Sequence, residues 1–170
     1  MITMFDGRLD VHYGYFSVAP PDELVDDLAA ARAGQANGLL GAREPHRLSG
    51  VTGLHTGEVT FRVEWSPEEP APDTTGQDVV EVSVDLAGPG AELRTFNEAW
   101  PLTFPGQGWH RVRFTAREMD AGRDLDTAFE VPAPDSYLLQ LWPAPPAPDA
   151  VVVRHSAIAE YWHGVAGSTG

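Results

Sequence analysis

The side chains able to do chemistry are six histidines, 25 carboxylates and the hydroxyls, because the chain has no cysteine and its 11 basic residues are all arginines. Without cysteine there is no thiolate nucleophile, no disulfide and no thiolate zinc site. Without lysine there is no Schiff base, no pyridoxal anchor and no P-loop lysine. The histidines show neither H-x-x-x-H nor H-x-H spacing, so a metal would need ligands from distant segments, such as His110 and His155. His155 beside Ser156 is adjacency rather than a triad, and no G-x-S-x-G elbow exists. The stretch "GVTGLHTG" has the glycines of a phosphate loop but no G-K-[ST], and reads as a structural loop. Asp120, Asp124, Asp126 and Glu130 in "DAGRDLDTAFE" miss the calcium-loop spacing, although acidic loops at the end of a sandwich can hold calcium. Carboxylate pairs alone do not indicate a glycosidase in so acidic a chain. These residues predict a protein that is not an enzyme and carries no cofactor and no metal.

Charge is the sharper signal. The formal net charge is −14 with a pI near 4.6, a field that repels nucleic acid and favours encounter with basic proteins. Arginine without lysine, beside abundant alanine, glycine and proline, is the composition of a GC-rich, actinobacterial-type genome. The opening "MITMFDGRLD" lacks the basic and apolar regions of a secretion signal, and no apolar run approaches membrane-spanning length. A cytoplasmic protein is expected.

The hydrophobic period is two almost throughout. "LDVHYGYFSV" reads as an opening strand. "PPDELVDDLAAARAG" predicts a helix, with Pro21, Asp22 and Glu23 at its start, Leu24, Val25, Leu28 and Ala31 buried, and Gly34 as its stop. "NGLLGA", "EVTFRVEW", "DVVEVSVDLA", "LRTFNE", "WHRVRFTA", "TAFEV", "YLLQLW" and "AVVVRH" follow as short strands with Gly/Pro turns between them. The fold class predicted is all-β with one short helix: an antiparallel β-sandwich of about eight or nine strands. It forms a single domain over residues 7–164, with flexible termini at 1–6 and 165–170. "YLLQLW" is apolar on both faces, as in a central strand. Pro143, Pro145, Pro146 and Pro148 then stop it and carry the chain on as an extended connector rather than a docking peptide.

If 58–65 and 78–86 form a hairpin, Glu58, Glu64, Glu81 and Asp85 share its outer face. The intervening segment "SPEEPAPDTTGQ", a mobile loop by composition, adds Glu68, Glu69 and Asp73, with Asp78 beyond it. These acids are the candidate partner-binding residues. The competing reading pairs the strand acids with Arg62, Arg111 or Arg113 across the sheet, leaving the loop acids with no arginine near in sequence.

The aromatic opening strand (His12, Tyr13, Phe16, Val18), the "NGLLGA" segment after a short helical region, and Tyr137-x-Leu139-x-x-Trp142 ending near proline together resemble the competence-associated ComJ family. Its members are intracellular inhibitors of a DNA-entry nuclease. The resemblance spans residues 8–143 and departs at the acidic loop 66–77 and the tail "AVVVRHSAIAEYWHG". It implies a small β-rich protein that acts by binding, without a cofactor. It assigns no individual functional residue, because the shared positions look like core. An acidic inhibitor or immunity-type protein that blocks a basic partner, such as a nuclease, is the expected function. A carbohydrate- or calcium-binding sandwich module and a structural protein are the alternatives.

Overall fold

The computed structural model describes residues 1–21, 23, 27–75, 77–88 and 90–168. In chain order its elements are β1 (Ile2–Val11), β2 (Tyr15–Ala19), α1 (Leu28–Arg32), β3 (Leu40–Gly41), β4 (Leu48–Val51), β5 (Thr56–Trp65), β6 (Asp78–Leu86) and β7 (Gly90–Arg94). They continue as β8 (Ala99–Thr103), β9 (Gly108–Arg117), α2 (Met119–Leu125), β10 (Thr127–Ala128), β11 (Ser136–Pro143), β12 (Ala150–Val153) and α3 (Ala157–Ser168).

The strands form two sheets, neither closed into a barrel. The larger runs β1-β5-β11-β9-β6-β12 with β10 on β5, and the smaller runs β3-β4-β2-β7-β8. One core lies between them. Val59, Phe61 and Val63 of β5, Leu139 of β11 and Phe114 of β9 meet Phe16 and Leu93 of the smaller sheet, all fully buried. Phe16 packs edge-on to Phe61 at 4.9 Å between centroids, and Gly50 lies across the ladder from it because a side chain there would strike the ring. Each such buried apolar side chain contributes about 1.5–3 kcal/mol.

Several expectations are corrected. The larger sheet is mixed rather than antiparallel, because β11 and β10 both run parallel to β5. Among the described residues there are twelve strands and three helices, not eight or nine strands and one helix. The opening segment is two strands. The chain turns at Tyr13–Gly14 and passes from the larger sheet to the smaller. Pairing in β1 starts at Ile2, so it reaches into residues expected to form an outlying terminus. The predicted first helix survives as Leu28–Arg32, capped by Asp27, whose carboxylate accepts from Ala29 N at 2.9 Å. Asp22, Leu24 and Val25 lie outside the described residues.

The tail is not a loose extension. After β12 it forms α3, whose first amides are all capped: Asp120 accepts from Ala157 N and Ile158 N at 2.9 Å each, and Ser156 Oγ accepts from Ala159 N at 3.1 Å. Buried Asp78 in turn accepts from Ser156 Oγ at 2.6 Å and from His155 N at 2.8 Å, anchoring the helix to β6. His163 Nδ1 accepts from Gly38 N at 3.0 Å, which requires a neutral ring, and burial lowers the His163 pKa accordingly. Among the described residues no helix is long and apolar enough to cross a membrane.

Candidate partner-docking surface

The predicted acidic hairpin does not exist. β5 and β6 are parallel in direction and separated by β11 and β9. On the outer face of the larger sheet, Glu64, Gln140, Arg113 and Glu81 fall on one register line across β5, β11, β9 and β6. They are bonded side by side. Gln140 Nε2 donates to Glu64 at 3.0 Å, Arg113 Nε donates to Glu81 at 2.9 Å, and Arg111 Nε donates to the same carboxylate at 3.3 Å. Arg62, two residues before Glu64 on the same strand, pairs with it at 2.8 Å. Cross-strand pairing with Arg111 and Arg113 therefore accounts for Glu81, whereas Glu64 is paired within its own strand.

Pairing also reaches the loop. Residues 66–75 of the segment expected to be mobile fold back over this face. Arg113, itself 2% exposed, donates to Pro70 O at 2.6 Å and to Glu69 at 2.8 Å while its guanidinium sits 4.9 Å from the Trp142 ring centroid. Asp73 is ion-paired to Arg117, and its pKa is lowered first by the Thr75 amide. The connector behaves likewise: Ala147 O accepts from Arg111 at 3.0 Å and Ala144 N donates to Trp109 O at 3.2 Å. Asp78 is buried beneath α3 rather than exposed beside the loop. Among the described residues, Glu58, Glu68 and Asp85 remain without an ion pair. Glu58 and Asp85 lie on opposite sides of the Glu64–Glu81 line, ten residue steps apart, which is roughly 33 Å at strand rise. The structure thus pairs Glu64, Glu69, Asp73 and Glu81 with four arginines, Arg62, Arg111, Arg113 and Arg117, and scatters the rest.

A second surface lies at the loop end of the sandwich, where β1 passes into β2. His12 and Tyr15 are bridged across Tyr13 and Gly14, both with φ of +58°, the pattern of a type I′ turn. Gly14 is held at both ends, its N–H donating to His55 O at 2.7 Å and its carbonyl accepting from Thr52 N at 2.9 Å. The 52–55 loop is fixed in turn. Gly53 N donates to Tyr137 Oη at 2.7 Å, Leu54 N to Asp135 at 3.0 Å, and His55 N to Asp126 O at 3.0 Å.

On this rigid base stand exposed rings. Tyr13 is 66% exposed and Phe96, in the turn between β7 and β8, is 53% exposed. Their centroids are 5.8 Å apart, and Tyr13 also lies 4.4 Å from His12 and 5.2 Å from His55. The groove beside them is lined by Asp10, His12, Glu58, Asn97, Phe129 and Glu130, among others. Asp10 and Glu58 are direct cross-strand partners, a like-charge pair. Asp10 also accepts from Asn97 Nδ2 at 3.1 Å, and its amide donates to Glu98 at 2.8 Å.

Of the candidate residues only Glu58 belongs to this surface. Tyr13, Phe96 and Phe129 sit in stretches whose apolar spacing matches a strand ladder, so the spacing alone does not mark them as surface. Gly14 after Tyr13 and Asn97 after Phe96 were the available turn signals. The acidic segment 120–130 is helix α2 and β10, with Asp120 engaged in capping α3. His110 and His155 are not brought together as ligands: His110 is buried, bonded to Trp65 Nε1 and Gly108 O at 3.1 and 2.9 Å, whereas His155 is exposed. Among the described residues no group of three or more His, Asp or Glu side chains is placed to hold a metal ion.

No family model and no curated protein matches the chain. Among solved structures it is similar to the product of crocagin biosynthetic gene J, at 15% identity over 82% of this chain and 96% of that one, with a TM-score of 0.47. It is also similar to ComJ, inhibitor of the DNA degrading activity of NucA, from Bacillus subtilis, at 16% identity over 84% of this chain and 98% of that one. The TM-score of 0.56 shows a likeness of fold with ComJ.

Proposed function

We propose that this is a non-enzymatic, cytoplasmic binding protein that inhibits a basic partner, such as a nuclease, by occupying its cationic surface. The observation that carries the reading is the balance of charge. Arg47, Arg62, Arg94, Arg111, Arg113, Arg117 and Arg154 are ion-paired within the fold, and the 25 carboxylates exceed the 11 arginines by 14. The unopposed negative field steers a basic partner and repels nucleic acid. Glu58, Glu68 and Asp85 contribute to it without serving the sheet, and Glu69 and Asp73 add exposed carboxylate at the loop. The fold likeness to ComJ, an inhibitor of DNA degradation, supports the same class.

The test is a pull-down from native lysate at low and then high salt, followed by a DNA-degradation assay of any retained protein. The expected result is one basic partner surviving high salt, with its nuclease activity falling stoichiometrically as this protein is added. A graded set of basic proteins lost at high salt, or a partner whose activity is untouched, overturns the reading.

A further inference from the structure

The geometry points to the loop end as the docking centre, and to an arginine side chain projecting from a basic partner as its occupant. We infer that the guanidinium lies against the exposed rings of Tyr13 and Phe96 and is neutralised from the adjoining groove by Asp10 and Glu58. This rests on the proposed binding role and adds where and by what chemistry the partner is held.

Three independent features lead there. First, the rings of Tyr13 and Phe96 stay in solvent although the core beneath them is complete. Exposed, well-supported aromatics are the usual anchors of protein interfaces. Second, Tyr13 holds a positive φ that suits glycine or asparagine and that a bulky residue adopts only under constraint. The Gly14 hydrogen bonds impose that turn, so the ring is presented on a pre-organised support and loses little freedom on binding. Third, the carboxylates here differ from those on the sheet face. Glu64 and Glu81 each have an arginine, whereas Asp10 and Glu58 face one another across β1 and β5 with no ion pair. Arg8 lines the same groove and is ion-paired to neither. A cation from outside satisfies this arrangement. A guanidinium fits better than an ammonium, being planar, able to stack on a ring and able to bond a carboxylate with two donors.

The test uses the intact protein and three probes: capped tetra-arginine, tetra-lysine and tetra-glutamate peptides, followed by NMR of the aromatic and histidine rings. Tetra-arginine is expected to shift the Tyr13, Phe96, His12 and His55 signals saturably, tetra-lysine more weakly and tetra-glutamate not at all. Tyr13→Asn, which suits the turn and keeps the fold, should weaken arginine binding about threefold to tenfold. Asp10→Asn with Glu58→Gln should weaken it further. Shifts spread equally over every exposed aromatic and histidine ring, unaltered affinity in Tyr13→Asn, or no shift at all would each remove the site. Loss of the site with a salt-resistant inhibited partner still recovered leaves the function standing and moves its interface elsewhere. Loss of that partner as well removes both.

Discussion

Asp135 is a carboxyl the fold buries without fully satisfying. One oxygen accepts from Tyr137 Oη and from Leu54 N at 3.0 Å, while the other has no partner among the described residues. Burial is the largest cause of its raised pKa, and the two hydrogen bonds oppose it only in part. Burial likewise pushes the Tyr137 hydroxyl far above its ordinary range, so it remains a donor to the carboxyl. The sign follows from linkage: a carboxyl with a raised folded-state pKa favours folding most below its unfolded value, near 3.9, and that advantage is lost as pH rises through the folded value. Asp135→Asn removes the charge while keeping an acceptor for both donors. The thermal midpoint of this variant relative to the parent should therefore climb as pH is raised from 4 to 8. A difference that stays flat or falls across that range would mean that the carboxylate is well accommodated.

At the scale of elements, what was legible in the sequence was whatever has a short-range signature. The β5, β6 and β9 segments show themselves by alternation and β11 by a run apolar on both faces, and the proline stop after Trp142 falls within one residue of the end of β11. Leu139 is fully buried on that strand, so Leu139→Ala should cost about 2–5 kcal/mol in a urea titration. Pro145 and Pro146 are exposed in the connector, and replacing both with alanine should cost under about 1 kcal/mol. The reverse ranking would contradict the roles of strand and connector. Strand partnership was not legible, because nothing local to β5 says that β11, some 70 residues on, will lie beside it in parallel. Helix α3 is hidden in the sequence for a similar reason. Its caps, Asp120 and the Asp78–Ser156 pair, come from distant segments or look like ordinary acids. Gly38 is the clearest long-range mark. A Cβ there would lie 1.9 Å from the Trp162 carbonyl oxygen, so the glycine in "NGLLGA" exists to admit α3 rather than to make a turn. Gly38→Ala should destabilise by about 1–3 kcal/mol and expose the Ala159 and His163 amides to exchange. Unchanged protection there would show that α3 packs more loosely than this contact requires.

For the molecule as a whole, the question is which of two electrostatic terms wins. The ion pairs on the outer sheet face are attractive and short-ranged, and the one between Arg113 and Glu81 is sheltered from solvent. The net charge of −14 is repulsive and acts across the entire surface. Screening at physiological salt, with a Debye length of about 8 Å, suppresses the second far more than the first. The melting temperature should accordingly rise as salt is increased from about 10 to 150 mM, and a fall would mean that exposed ion pairs dominate stability. The same asymmetry separates encounter from retention. Glu68 and Asp85 are unpaired and lie away from the aromatic end, so Glu68→Gln with Asp85→Asn should slow association with a basic partner and flatten its salt dependence. Dissociation should hardly change, because charges outside the packed contact act mainly on the approach. Stopped-flow rates at two salt concentrations distinguish the cases. If dissociation quickens instead, these carboxylates lie inside the interface, and the partner is held on the sheet face rather than at the loop end.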